Sequence, residues 1–251
     1  MSALIDPMVL RDAAERLAVV QARMEKACKA AGRDVSEITL VGACKRQPVN
    51  KIAASLFAGL RNLGENYIQG AEATQITLPQ FLSEPSNGTP PPLPRWHMIG
   101  HLQRNKAKQA VENFETVDSL DSPRLAKALH RRAEELNRTI EVCIQVNLSG
   151  ESTKSGTSPA ELPELISTLA ELSRVRAIGL MTMPAPGTEA SRHDFAELRE
   201  LRDQLRDQPG CESLTELNMG MSGDLEIAIK EGATIVRIGT DLFGERKTPS
   251  E

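Results

Sequence analysis

"LNMGMSGDLEIAIKEGATIVRIGTDLFG", residues 217 to 244, decides the fold. It opens inside an apolar run that starts near residue 213 and gives way to Gly220, Ser222 and Gly223, the small residues of a turn. Asp224 to Glu231 then carries apolar residues at helical spacing. Residues 234 to 240 form a short run of β-branched side chains that reads as a buried strand. Strand, tight turn, helix and second strand make a crossover unit, and such a unit pairs its strands in parallel.

Working outward toward the N-terminus, the same alternation continues. Strands are expected over 37–45, 60–65, 95–102, 114–119, 139–148 and 175–184, ahead of 213–221 and 234–240. Helical stretches separate them: Val49–Ala58, Tyr67–Ile76, Lys106–Glu112, Pro123–Asn137, Pro159–Ser173, Ala190–Gln208 and Asp224–Glu231. One extra helix precedes the first strand over 8–32, with Leu10, Ala13, Leu17, Val20, Met24 and Cys28 on one face before Gly32. That makes eight strands, each followed by a helix except the last. Eight such units in 251 residues predict a single α/β domain over 1–251, a (β/α)8 TIM barrel rather than an open doubly wound sheet. The one low-complexity stretch, "PQFLSEPSNGTPPPLPRW" at 79–96, is read as a proline-rich surface loop over 79–95 at the bottom of the barrel. A polyproline ligand is the alternative.

The bulk composition excludes several classes of protein. Thirty basic residues against thirty-four acidic ones leave a net charge of −4, which argues against nucleic acid as the main partner. Cys28, Cys44, Cys143 and Cys211 are scattered and form neither a disulfide framework nor a zinc spacing. The N-terminus lacks the basic-then-apolar pattern of a leader, and no run is apolar enough for a membrane span. A cytoplasmic location and no membrane contact are therefore expected.

In a barrel the chemistry is expected at the C-terminal ends of the strands, with phosphate held after strands 7 and 8. Gly220, Ser222 and Gly223 let backbone approach a ligand there, and Ser222 would N-cap the helix that follows. In strand 8, Arg237 interrupts an apolar run and must be paired. Either a barrel carboxylate such as Glu216 or a bound phosphate would satisfy it. Gly239 and Thr240 follow on the same strand end. Lys45 closes the apolar run 38–44 of strand 1, which neighbours strand 8 in a closed barrel. An aldehyde that carries a phosphate would suit this set, with Lys45 forming a Schiff base. A point-charge contact with phosphate, or simple snorkelling, is the other reading of Lys45.

The runs "LVGACKRQPV", "LGENYIQGA", "WHMIGHLQRNKAK", "VDSLDS", "IQVNLSGESTKSG", "IGLMTM" and "LNMGMSGDLEIAIKEGATIVRIGTDLFGER" occur in that order over nearly the whole chain. In this the sequence resembles the pyridoxal phosphate homeostasis protein family, whose members are similar to the barrel domain of alanine racemase (fold type III). The resemblance implies pyridoxal 5′-phosphate as cofactor. It implies a Schiff base on Lys45 and phosphate contacts from Ser222, Gly239 and Thr240. It further implies Arg237 beside the pyridine nitrogen and Asn66 beside the ring. Met219, His97 and Met181 fall in the shared runs without an assigned role. His97 and His101 have no evident third ligand, so no metal is expected. Two departures stand out: Cys44 replaces the usual serine in "CKRQP", and the proline-rich segment is longer than usual.

An arginine beside the pyridine nitrogen keeps that nitrogen largely unprotonated and makes the ring a weak electron sink. Racemases of this barrel type use a tyrosine from an added β-domain as second base. Here strand 8 is followed by only a few residues, and the one tyrosine is Tyr67. The expected function is thus to hold pyridoxal phosphate and deliver it to apo-enzymes that depend on it, as a monomer and without turnover. The alternatives are a racemase or decarboxylase using Lys45, or, more distantly, a phosphosugar aldolase.

Overall fold

The computed structural model describes residues 3–150, 155–184, 187–208 and 211–245. Eight parallel strands close into a barrel in sequence order. They are β1 (Thr39–Ala43), β2 (Asn62–Glu65), β3 (Arg95–Met98), β4 (Thr116–Leu120), β5 (Ile140–Gln145), β6 (Val175–Met181), β7 (Glu216–Asn218) and β8 (Ile235–Ile238). The surrounding helices are α1 (Pro7–Ala31), α2 (Val49–Ala58), α3 (Ile68–Leu82), α4 (Ala107–Asn113), α5 (Pro123–Glu135), α6 (Leu162–Ala170), α7 (Thr188–Arg206), α8 (Leu225–Lys230) and α9 (Thr240–Phe243). Among the described residues no helix is long and apolar enough to cross a membrane.

Strand alternation divides the core into two. Outward-facing Leu40, Leu63, Val236 and Ile238 pack with the helices in one large cluster. Inward-facing Val41, Cys143, Met181 and Ile235 form a small separate plug, with Ile178 against it. Closure comes from β1 pairing with β8 in the register Val41↔Arg237 and Gly42↔Ile238. That pairing brings the two strand ends that matter side by side.

Helix α1 is started by Asp6, whose side chain accepts from Met8 N, and is stopped by Gly32 in the left-handed conformation. Its buried stripe of Ala13, Leu17, Val20, Met24, Ala27 and Cys28 seats it against α2, α8 and α9. It is tied to the bottom as well. Asn87 accepts from Ile5 N at 2.8 Å and donates to the Ala3 carbonyl at 3.0 Å.

Three expectations need correction here. The helix after β2 runs past Ile76 to Leu82, so the loop expected over 79–95 begins only after residue 82. Pro79 sits inside the last turns of α3, where the buried Leu78 and Leu82 outweigh the lost N–H. After that helix come a 3-10 turn, Pro85–Asn87, and an irregular stretch up to β3. Strand 8 ends at Ile238, not at residue 240, and a short helix follows it. Thr240 is therefore the first residue of α9. In the shared runs, residues 151–154 of "ESTKSG" and Arg246 lie outside the described residues.

Candidate cofactor site

The site is assembled at the C-terminal ends of β1, β2, β7 and β8. Lys45 lies two residues past Ala43 of β1, in a turn closed by the Gln47 N–H donating to the Cys44 carbonyl at 2.9 Å. Arg46 takes a left-handed φ of 57° there, which bends the chain sharply away from the strand. Cys44 points the other way. Its thiol is buried and donates to the Gly64 carbonyl at 3.3 Å, and burial pushes its pKa well above the usual thiol value. Lys45 is half-buried, and its Nζ sits 4.8 Å from the centroid of the Tyr67 ring. Among the described residues no carboxylate pairs with it.

Asn66 stands beside Lys45 on the neighbouring strand end. Gly64 pairs with Ala43 in the β1–β2 ladder, so Asn66 stands at the height of Lys45. Its backbone comes so close to β3 that a Cβ on Gly100 would lie 2.4 Å from the Asn66 carbonyl oxygen. Beyond Asn66 a cavity of about 240 Å³ is walled by Ile99, Gln145, Asn147 and Met183.

The turn after β7 and the start of α9 form the opposite side. Gly220 has a φ of 100°, and a Cβ there would lie 2.5 Å from Ala228 Cβ. The Gly220 carbonyl accepts from Arg237 N at 2.9 Å, which stitches the turn to β8. Ser222 does not cap the following helix, contrary to expectation. That N-cap position belongs to Asp224, whose carboxylate instead accepts from Met221 N at 2.6 Å and braces the turn. Ser222 Oγ is buried and has no hydrogen-bond partner among the described residues, a cost of about 1–3 kcal/mol unless a ligand answers it. Gly239 lies against Ala43, its ideal Cβ 3.4 Å from the Ala43 carbonyl oxygen. The N–H groups that open α9 are the orphan donors of any helix start.

Arg237 is 5% exposed, inside the barrel. Its partner is not Glu216, which lies one layer lower and accepts from the Thr234 hydroxyl at 2.6 Å. The guanidinium donates instead to the Asn218 carbonyl at 3.0 Å, to Asn218 Oδ1, and to the Thr182 carbonyl at 3.1 Å. Three bonds against five N–H donors leave capacity for an acceptor above it. Below, Asn218 Nδ2 donates to Asp118 at 2.8 Å. Asp118, fully buried, also holds His97 Nδ1 at 3.1 Å. Burial lowers the Arg237 pKa, and the charge of Asp118 works against that shift. A guanidinium remains charged regardless. His101 turns outward to Asp121, 3.2 Å away, so the two histidines serve different carboxylates.

Asn218, Asp118 and Arg23 are further site residues that the sequence motifs did not single out. Asp118 was readable by the rule that picked out Arg237, since it too interrupts an apolar strand. Nothing in the sequence singles out Arg23 of α1. It is bidentate to Glu226 of α8 at 2.7 and 2.9 Å, pairs with Asp241 of α9 at 2.5 Å and donates to the Ser222 carbonyl at 2.9 Å. One guanidinium thus ties the extra helix to both halves of the turn-and-helix side.

Fold and rim together define a barrel protein of the alanine racemase type. The family model for the N-terminal domain of alanine racemase matches residues 20–247. Alanine racemase from Clostridium difficile shares the fold with a TM-score of 0.64 at 17% identity, over 92% of this chain and 60% of its own. More specifically, the chain is 42% identical over 235 residues to the pyridoxal phosphate homeostasis protein of Pseudomonas aeruginosa, covering 93% of this chain and 95% of that one. It is likewise 42% identical to that of Aquifex aeolicus over 94% and 99%. The structure of PipY from Synechococcus elongatus with pyridoxal phosphate bound superposes with a TM-score of 0.79 at 36% identity, over 92% and 100% of the two chains. The chain belongs to the pyridoxal phosphate homeostasis protein family.

Proposed function

We propose that this protein holds pyridoxal 5′-phosphate at the rim formed by β1, β2, β7 and β8, and keeps or delivers the cofactor rather than turning over a substrate. The carrying observation is that this rim gathers uncommitted polar groups of matching chemistry. Among the described residues they are a buried hydroxyl without a partner on Ser222, spare N–H donors on Arg237 and an amine on Lys45 that no carboxylate pairs. Bound there, the cofactor supplies an aldehyde that an amine can hold covalently. Lys45 is the residue for that bond. Ser222, Gly239 and Thr240 take the phosphate oxygens, Arg237 donates to the ring nitrogen, and Asn66 lies beside the ring.

The names of the relatives support a homeostatic role, and the rim gives a physical reason for it. Proton traffic on both faces of a substrate needs a second base opposite Lys45. The single tyrosine of the sequence, Tyr67, stands on the side of Lys45 itself, and His97 is engaged with Asp118. Arg237 holds its protons and does not convert the ring into a strong electron sink. A monomer in the cytoplasm, passing cofactor to apo-enzymes, is the form we infer. The purified protein, loaded with pyridoxal phosphate and incubated with a panel of L-amino acids, should give no racemisation, decarboxylation or transamination above the free cofactor. Clear turnover would contradict the carrier reading.

A further inference from the structure

The groove between α4 and α5 holds a concentration of charge that cofactor binding leaves unused. Nine residues line a cavity of about 620 Å³ there, and six are basic: Arg104, Lys108, Arg124, Lys127, Arg131 and Arg132. None of the nine is acidic. On α5, Arg124, Lys127 and Arg131 follow one another at i, i+3 and i+7, so they stand on one face and repel each other. Lys108 reaches Glu112 at 3.8 Å and Arg132 holds Glu135 at 2.5 Å. The other four, Arg104, Arg124, Lys127 and Arg131, form no ion pair among the described residues and are exposed. Elsewhere arginines such as Arg23, Arg33, Arg138 and Arg202 are each matched by a carboxylate. In a protein of net charge −4, four unmatched cations in one concave groove are not the average surface.

The position of the groove matters. Arg104 begins the turn Arg104–Lys106 that leaves the C-terminal end of β3. Lys106 also lines the neighbouring cavity with Asn66 and Tyr67, and the Tyr67 ring carries Lys45 Nζ at 4.8 Å. The groove therefore opens beside the cofactor rim without covering it.

Three kinds of anion could answer these charges. A small phosphate compound needs donors converging on one point, whereas these cations are strung along about 10 Å of helix. Nucleic acid favours a longer basic track with aromatic stacking partners, and no aromatic side chain lines the groove. An acidic protein segment, with carboxylates one and two helical turns apart, matches the spacing on α5. We propose that the α4–α5 groove is a docking surface for an acidic segment of a partner protein. Its use in handing over cofactor rests on the function proposed above, but the docking itself does not.

The test uses the full chain and three defined probes: a fluorescent fifteen-residue peptide rich in Glu and Asp, its Gln/Asn counterpart, and a fifteen-nucleotide single strand. Anisotropy titrations compare wild type, Arg124→Glu/Arg131→Glu, and a control with the same charge change on α1, Lys26→Glu/Lys29→Glu. All four residues are exposed, and thermal melts report whether the variants are folded. We expect saturable binding of the acidic peptide only, weakened at least tenfold in the groove variant, within twofold of wild type in the control, and declining with salt. No saturable binding, equal loss in both variants, or tighter groove-dependent binding of the nucleotide would each overturn the proposal. Pyridoxal phosphate loading is followed in parallel and should be equal in all three proteins. Peptide binding by a protein that fails to load would overturn the cofactor reading alone, and loading without peptide binding would overturn the docking alone.

Discussion

At the scale of single residues, the deepest commitment lies under the rim rather than on it. Asp118 is a buried carboxylate that orients Asn218, which in turn accepts from Arg237. Asp118→Ala removes a buried acceptor shared by His97 and Asn218, together with the buried charge that offsets Arg237. The expected loss of folding stability is about 3–5 kcal/mol, checked by urea denaturation. Asp118→Asn keeps the volume and should cost less, while shifting the absorbance of bound cofactor because the buried negative charge that offsets Arg237 is gone. An unchanged spectrum in a folded Asp118→Asn variant would count against that coupling. Cys44 makes the opposite case. Its thiol is buried, protonated and bonded to Gly64, so it should resist a thiol reagent in the native protein and react once the protein is unfolded. Cys44→Ser can make the same bond with its hydroxyl and should leave cofactor affinity within about twofold. Both outcomes are read by mass spectrometry and titration.

At the scale of elements, the extra helix α1 does more than cover the barrel. Arg23 reaches from it to Glu226, Asp241 and the Ser222 carbonyl, so the turn after β7 and the start of α9 share one brace. Arg23→Gln should weaken pyridoxal phosphate binding severalfold although Arg23 itself does not line the rim, and a fluorescence titration measures it. The same brace sets a pH dependence. Hydrogen bonds from Arg23 hold the Glu226 carboxyl below its ordinary value of 4.5. A lowered carboxyl contributes stability that is present above its unfolded value and is lost as pH falls through its folded one. Wild type should therefore lose thermal stability more steeply than Arg23→Gln below pH 4.5. Parallel profiles would contradict the brace. Gly100 offers a second check, because a Cβ there meets the Asn66 carbonyl at 2.4 Å. Gly100→Ala should displace Asn66 and reduce affinity for the cofactor more than a surface glycine would.

At the scale of the whole molecule, the barrel was legible because eight apolar runs alternate with amphipathic ones, and long periodic segments carry their own evidence. Boundaries were less legible. The strands proved shorter than the apolar runs, as at 213–221, where only Glu216–Asn218 pairs as strand. The flanking residues there belong to turns whose polar groups bond locally. Pro79 misled because local chemistry predicts a break, while burial of Leu78 and Leu82 decides the outcome. Arg237 was readable as a buried charge, but its true partner was not. Which inward residue meets which depends on stagger between strands, and the β7–β8 register sets Arg237 beside Gly220 and above Asn218, not beside Glu216. Arg23 was invisible, since its partners lie about two hundred residues away on α8 and α9. The measurement that bears most directly on the account is borohydride reduction of the protein loaded with pyridoxal phosphate, followed by peptide mapping of wild type and Lys45→Ala. The expected result is a yellow protein with reduced cofactor fixed on the Lys45 peptide alone, and a Lys45→Ala variant that folds and melts like unloaded wild type but retains no label. Label on another lysine, or a wild-type protein that stays colourless with excess cofactor, would contradict it.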